Sequence, residues 1–290
     1  MPERTVRQAF DVLLSRQTPT QSERDAAAGH RASVEAALTP LDIFGLWETG
    51  SFRHGTAVRG HSDVDVLVNL RGARPSDPDA ALSRVKAALV ARFPYTDIRV
   101  SRPAVVVNFA GGDERWEVIP AYFKGTVGSE SVYEIPAPGG LWMDTSPVAH
   151  LRYVTDQNKS PAGGAKSLAR LIKAWKYCNA NSVKVSSFYL EMRAAKYMAS
   201  ETYFVADVDF EHLMRSLANS ELAAMNDPTG VTGRFRATST DGYRTQALGT
   251  LRADSQRVAD ALELEKAGKR TEAFAKLSTV FLGAFPSQYY

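Results

Sequence analysis

The sequence contains a single cysteine among its 290 residues, and it has no apolar run that approaches the length of a membrane span. Cys178 cannot form a disulfide within the chain, and no Cys/His cluster indicates a structural zinc site. A membrane-spanning helix needs about 20 apolar residues, and the first residues of the sequence lack the apolar core of a signal peptide. These absences predict a cytoplasmic protein with no membrane partner.

The sequence also lacks a strong excess of charge of either sign. It has 35 basic and 32 acidic residues, a formal net charge of +3, and no long basic block. This balance is compatible with an anionic small ligand and does not indicate a nucleic-acid partner. With 44% hydrophobic residues, the chain can bury one large core or two modest ones. We expect two lobes and a monomer.

The most informative segment spans residues 50–68, where a Gly50-Ser51 turn precedes Asp63 and Asp65 in a β-branched strand. Because strand side chains alternate, both aspartates point to the same side, about 7 Å apart along the backbone. Two such carboxylates repel each other unless a cation neutralises them, and oxygen-only ligands favour Mg²⁺ or Mn²⁺. The alternative is a solvated carboxylate pair on an edge strand.

Glu117 is the candidate third acid. It stands in an otherwise apolar strand that we predict over residues 115–119 and expect to end at Pro120, while the neighbouring Glu114 is assigned to the preceding turn. A two-metal site gains a third carboxylate from a neighbouring strand.

The other predicted strands all lie in the first half of the sequence, and the second half is predicted to be mostly helical. A capping box at Thr20–Glu23 predicts one helix from 20 to 38. The segment 125–147 has several Gly and Pro residues and is assigned to an ordered connection. Further helices are predicted at 5–16, 79–93, 148–157, 163–180, 186–199, 207–219, 244–267 and 270–282, and further strands at 41–48, 63–70, 97–101 and 104–109.

The predicted helix 163–180 separates its residues by face. Its apolar positions cluster on one side, and Lys166, Arg170 and Lys173 cluster on the other. Paired serines, Ser186 and Ser187, open the next helix, and helix N-termini suit phosphate oxygens. An ordinary amphipathic helix with a solvated basic face is the alternative interpretation.

The Gly-Ser turn followed by Asp-x-Asp resembles the signature of the polymerase-β-like nucleotidyltransferases. The resemblance implies a bilobal α+β fold: a palm with a mixed β-sheet at residues 1–147, a helical C-terminal lobe at residues 148–290, and an active site in the cleft between them. It implies that Gly50 and Ser51 hold a triphosphate and that Asp63, Asp65 and Glu117 bind two Mg²⁺ or Mn²⁺ ions. Many family members carry Asp where this chain has Glu117.

A second resemblance covers the helical half. Residues 171–175 (Leu-x-Lys-x-Trp) and 187–191 (Ser-Phe-x-Leu-Glu) resemble the second-lobe signature of the cyclic GMP-AMP synthase and oligoadenylate synthase superfamily, whose bacterial members are the CD-NTases or SMODS nucleotidyltransferases. The late segments 226–230 and 281–286 resemble the same branch. By this resemblance Lys173 and Ser187 contact the donor triphosphate, and Glu191 joins two helices.

These resemblances imply an enzyme that makes a cyclic di- or trinucleotide second messenger from ribonucleoside triphosphates, ATP among them, and releases pyrophosphate. They imply a role in bacterial anti-phage signalling through an effector that the product activates. Two alternatives remain open from the sequence: a nucleotidyltransferase with a macromolecular or drug acceptor, and a nucleotide binder with a degenerate site. The bases used, the linkage and the ring size are also open.

Overall fold

The computed structural model describes residues 2–61, 63–109, 114–137, 139–160 and 163–290. The chain divides into two compact units. The palm unit comprises Pro19–Arg152 and Thr229–Gly233. The helical unit comprises Met1–Thr18, Tyr153–Pro228 and Arg234–Tyr290.

The palm unit contains a mixed β-sheet with helices on one of its faces. Its strands are β1 (Ile43–Thr49), β2 (Val64–Leu70), β3 (Asp97–Ser101), β4 (Ala104–Phe109), β5 (Glu114–Val127), β6 (Glu130–Pro136) and β7 (Trp142–Thr145). Its helices are α2 (Gln21–Gly29), α3 (Arg31–Leu38), a 3-10 turn at Thr39–Leu41, α4 (Gly50–His54), α5 (Pro78–Arg92) and the first part of α6 (Pro147–Lys159).

The sheet places β2 and β5 at its centre. The strand order is β1-β2-β5-β4-β3, with β6 paired to β5 and β7 paired to β6. Strands β2 and β5 run parallel, whereas β1 is antiparallel to β2 and β4 is antiparallel to β5. Two adjacent parallel strands therefore carry the predicted acidic residues side by side.

Alternation along β2 decides which side chains face the helices. Val66 and Val68 belong to a buried cluster with Leu82 and Val85 of α5. Asp77 caps the start of α5 by accepting from the amide of residue 79, and a proline at the first helical position suits that start. Because neighbouring strand residues point to opposite faces, Asp65 lies on the face that α5 does not cover.

The helical unit is built around aromatic side chains. It contains α1 (Val6–Gln17), the remainder of α6, α7 (Ala165–Cys178), α8 (Ser187–Met198), α9 (Ala206–Asn219), α10 (Asp241–Lys266), α11 (Arg270–Val280) and a small hairpin of β8 (Met225–Asn226) and β9 (Arg234–Phe235). The ring centroid of Phe10 lies 5.4 Å from that of Phe210 and 5.2 Å from that of Phe285.

The first helix does not share a unit with the strands that follow it. Val6, Phe10 and Leu13 are buried in the core of α7, α9 and α11, so α1 belongs to the helical unit. The division that we predicted at residues 147 and 148 places this helix with the palm. The chain leaves the palm unit inside α6, between Arg152 and Tyr153.

The structure confirms the α+β class, with a mixed sheet and a predominantly helical second part. Three local predictions were wrong. The predicted helix 20–38 is two helices, because α2 ends at Gly29 and α3 begins at Arg31. Between them, the ring of His30 stacks on that of Phe109, with the centroids 4.0 Å apart. Strand β5 continues past Pro120, which lies between the β4 ladder that ends at Val118 and the β6 ladder that begins at Tyr122.

The third error concerns the segment 125–147, which was assigned to a connection. It completes β5 and forms the strands β6 and β7. In the described part of the chain, no helix combines the length and the apolar character needed to cross a membrane.

Candidate active site

The Gly-Ser turn lies directly against the aspartate strand. Strand β1 ends at Thr49, the Cα partner of Asp65 in the neighbouring β2, and α4 begins at Gly50. Gly50 has a φ of +64°, and a Cβ added there would overlap the carboxylate of Asp65 and lie 2.7 Å from its Cβ. Glycine is therefore required at this position by both backbone conformation and space.

Ser51 lies in the same short helix. Its carbonyl oxygen accepts from the amide of Thr56 at 2.9 Å, and Gly55 ends the helix in the left-handed conformation. These bonds fix the Gly50-Ser51 turn at the start of α4, beside the acidic strand.

The three predicted acids lie on one face of the sheet. Asp65 and Glu117 are Cα partners in the parallel strands β2 and β5, and such strands lie about 4.8 Å apart. Asp63 immediately precedes β2, two residues before Asp65. The structure therefore brings Gly50, Asp63, Asp65 and Glu117 together in the palm unit.

Arg115 joins this acidic group. Its guanidinium donates to Glu117 Oε1 at 2.5 Å, and its Nε lies 3.3 Å from Asp63 Oδ2. Partial burial alone would lower the pKa of Arg115, but the hydrogen bond to Glu117 and the charges of Asp63, Glu117 and Asp65 raise it. The guanidinium thus interacts with all three carboxylates.

Within the described ranges, no three acidic, histidine or cysteine side chains converge in the arrangement of a metal site. The donor set nevertheless fits a hard divalent cation, because it consists of carboxylate oxygens on one sheet face. The missing side chain of Gly50 also leaves Asp65 the room that its carboxylate uses.

The helical unit contains the second group of predicted residues. Ser186 caps α8, its hydroxyl accepting from the amide of Tyr189 at 3.3 Å, and Ser187 is the first helical residue. Lys176 of α7 donates to Ser187 Oγ at 2.6 Å, and the hydroxyl of Tyr177 lies 3.3 Å from the same oxygen. The amine of Lys176 and the hydroxyls of Ser186, Ser187 and Tyr177 therefore lie at the N-terminus of α8.

Lys173 lies in a different environment. Its side chain is buried and forms an ion pair with the buried Glu191 of α8, with Nζ and Oε2 2.5 Å apart. This pair joins α7 to α8, as the resemblance implied for Glu191. Arg170 is also buried, so the basic side of α7 is not a solvated face.

Two residues of these groups were missed in the sequence. Arg115 stands two positions before Glu117 in a strand, and this spacing alone places it on the same face. Lys176 follows Lys173 by three positions, so it shares that side of the helix. Nothing in the sequence indicates which of the two lysines contacts Ser187.

A mixed sheet that presses a Gly-Ser turn against an Asp-x-Asp strand, with a third carboxylate in register, defines a nucleotidyltransferase with the polymerase-β-like fold. The family model for the Second Messenger Oligonucleotide or Dinucleotide Synthetase domain matches residues 5–158, more than half of the sequence. The chain belongs to this family of nucleotidyltransferases.

Individual relatives agree with this assignment. A cyclic AMP-AMP-AMP synthase from Escherichia coli (strain MS 115-1) is 24% identical over 238 residues, which cover 79% of this chain and 71% of the relative. Two solved structures share the fold. The structure of E. coli MS115-1 CdnC with ATP has a TM-score of 0.79 at 16% identity, covering 97% of this chain and 99% of that one. The Bradyrhizobium diazoefficiens CD-NTase CdnG in complex with GTP has a TM-score of 0.74 at 13% identity, covering 94% and 98%.

Proposed function

We propose that this protein joins ribonucleoside triphosphates into a cyclic di- or trinucleotide second messenger and releases pyrophosphate. The observation that carries the proposal is the alignment of Asp65 and Glu117 as register partners on one sheet face, with Asp63 beside them. Family membership supports the reaction class.

The chemistry is a series of nucleotidyl transfers, two for a ring of two nucleotides and three for a ring of three. A ribose hydroxyl of the acceptor attacks the α-phosphorus of the donor. A new P–O bond forms, the bond to the pyrophosphate oxygen breaks, and the hydroxyl proton passes to solvent. In the last transfer, the free hydroxyl of the linear product attacks the α-phosphorus of its own remaining 5′-triphosphate, which closes the ring and releases pyrophosphate.

Asp63, Asp65 and Glu117 would hold two Mg²⁺ ions. When bound, these ions supply charge stabilisation at the reacting phosphate and a lowered pKa for the attacking hydroxyl. The contribution of the chain is to fix the carboxylates: β2 and β5 set their spacing, and the close approach of Gly50 sets the orientation of Asp65. Gly50 and Ser51 place an adjoining turn where it can meet the donor phosphates.

The helical unit would supply further phosphate contacts through Ser187 and Lys176. Ser187 lies at the positive end of α8, and the Lys176 amine already contacts its hydroxyl. A phosphate oxygen could take the place of either partner in that bond. Lys173 stays a predicted triphosphate ligand, and its buried bond to Glu191 would have to be shared or broken for that role.

A ring of three adenosine nucleotides is the first product to test. The reason is the similarity to a cyclic AMP-AMP-AMP synthase over 79% of this chain. As in bacterial enzymes of this class, the product would activate an effector protein during defence against phage.

The test is to incubate the purified protein with each ribonucleoside triphosphate alone and with all four together, in Mg²⁺ or Mn²⁺ and without an acceptor. We expect a product that resists phosphatase and whose mass matches a cyclic oligonucleotide. Asp65→Asn should abolish this product, whereas Gly72→Ala, in a loop after β2, should retain it. Products that are only linear, or nucleotide consumption that Asp65→Asn does not change, would contradict the proposal.

A further inference from the structure

We propose that Arg115 is a counter-ion of the acidic site, held by the carboxylates until a divalent cation binds, and that its guanidinium competes with the first cation for their oxygens. The inference rests on the proposed function, because it takes Asp63, Asp65 and Glu117 as the metal ligands.

Arg115 lies on the same face of the sheet as the proposed metal ligands. Arg115 and Glu117 are two residues apart in β5, so both side chains lie on the face that carries Asp65. The guanidinium reaches Glu117 Oε1 at 2.5 Å and lies 3.3 Å from Asp63 Oδ2. It therefore bridges two of the three proposed ligands, and its charge acts on the third.

The acidic face keeps a net negative charge even when Arg115 is counted. Three carboxylates carry −3 and one guanidinium carries +1, which leaves −2 on this face when only these four groups are counted. A divalent cation must take lone pairs from the same oxygens, and Glu117 Oε1 already accepts from Arg115. A cation bound to that oxygen would lie beside the guanidinium, so the two positive charges compete for the same carboxylate.

Arg115 binds its two carboxylate partners unequally. The bond to Glu117 is a charge-assisted hydrogen bond, whereas Nε of Arg115 is buried and forms no hydrogen bond with any described residue, although Asp63 is near. The Arg115 side chain is 33% exposed. An ion pair of this exposure contributes little free energy, so a doubly charged ion can displace it.

A purely structural role is the competing interpretation. In that case Arg115 would only stabilise the start of β5, and its loss would lower stability without changing the affinity for metal. The competition model makes the opposite prediction, because removal of the guanidinium frees oxygens and raises the negative potential that attracts the cation.

The experiment measures Mn²⁺ binding to the whole protein without nucleotide, by electron paramagnetic resonance of free Mn²⁺ and by calorimetry. Arg115→Gln should bind the first Mn²⁺ about five- to tenfold more tightly than wild type. It should also show a larger rise in Tm on saturation with Mn²⁺. Arg115→Lys keeps the charge and loses the planar guanidinium. Its affinity for the first Mn²⁺ should lie between those of wild type and Arg115→Gln.

Arg102→Gln is the matched control. Arg102 has a similar exposure, 35%, and is also paired with a carboxylate, that of Asp79. Its removal takes the same charge from the same unit, and we expect Mn²⁺ affinity within about twofold of wild type.

Asp65→Asn distinguishes a failure of the proposed role of Arg115 from a failure of the metal site itself. If it weakens Mn²⁺ binding while Arg115→Gln matches wild type or binds more weakly, the role of Arg115 is overturned and the metal site stands. If Asp65→Asn binds Mn²⁺ as wild type does, the metal site of the proposed function fails, and the inference about Arg115 fails with it.

Discussion

Replacing Gly50 by alanine puts a methyl group where the carboxylate of Asp65 lies. The added Cβ would be 2.7 Å from the Cβ of Asp65, and it would overlap the carboxylate itself. Carbon atoms in contact are comfortable at about 3.5 Å, so Asp65 must move by about 1 Å. The backbone adds a second cost, because a φ of +64° is unfavourable for alanine by about 1 kcal/mol.

The backbone cost and the displacement of Asp65 change different measured quantities. The backbone term acts on stability, and we expect Tm to fall by a few degrees. The displacement acts on the proposed metal ligand, and a misplacement of about 1 Å in a catalytic group costs about 100-fold in rate. We therefore expect kcat for pyrophosphate release from ATP to fall by about 100-fold while most of the protein remains folded.

Gly72→Ala provides the control. Gly72 also has a positive φ, +86°, but nothing lies within 4 Å of an added Cβ. This variant should lose stability as Gly50→Ala does and retain its turnover. Equal activity of the two variants, after correction for the folded fraction, would refute the argument that Gly50 positions Asp65.

Three further groups of variants test other residues. Glu117→Gln should lower kcat by about 10³-fold, whereas Glu117→Asp keeps a carboxylate and should retain more activity; pyrophosphate release measures both. Ser187→Ala and Lys176→Met should each raise KM for ATP about three- to tenfold at unchanged Tm, and unchanged KM would contradict their role at the phosphates. Glu191→Leu leaves Lys173 buried without its carboxylate and should lower Tm by about 10 °C in calorimetry. The double variant Lys173→Met/Glu191→Leu should recover most of that loss, and failure to recover would show that packing, not the loss of the ion pair, causes it.

Local patterns predicted the acidic strand and two further strands of the same sheet. Strands β3 and β4 have the predicted bounds, and β2 differs by one residue, because alternating or continuous β-branched runs mark strands clearly. The capping box at Thr20 was also confirmed, with the Thr20 amide donating to Glu23 at 2.7 Å and the Glu23 amide donating to the Thr20 hydroxyl at 3.2 Å. These features depend on residues close together in the sequence.

Features that depend on distant residues were not predictable in the same way. The assignment of α1 to the helical unit requires Phe10 to meet Phe210 and Phe285, about 200 and 275 positions later in the sequence. The burial of Lys173 likewise depends on Glu191 in another helix. A helical wheel separates charged from apolar positions, but it cannot tell whether solvent or another helix covers the charged side.

The position of Arg115 was within reach of sequence reasoning and was overlooked. Strand alternation places it on the face of Glu117 as firmly as it places Asp63 with Asp65. A basic residue at this position in an acidic strand face indicates charge compensation.

The central claim is that three carboxylates from separate segments of the palm bind divalent cations beside a nucleotide. The most direct test is a crystal structure with Mn²⁺ and a non-hydrolysable ATP analogue, with Mn²⁺ located by anomalous scattering. We predict Mn²⁺ within about 2.2 Å of carboxylate oxygens of Asp63, Asp65 and Glu117, with the phosphates of the analogue among the other ligands. Mn²⁺ bound without Glu117, or bound with the analogue at another place on the palm, would contradict the account.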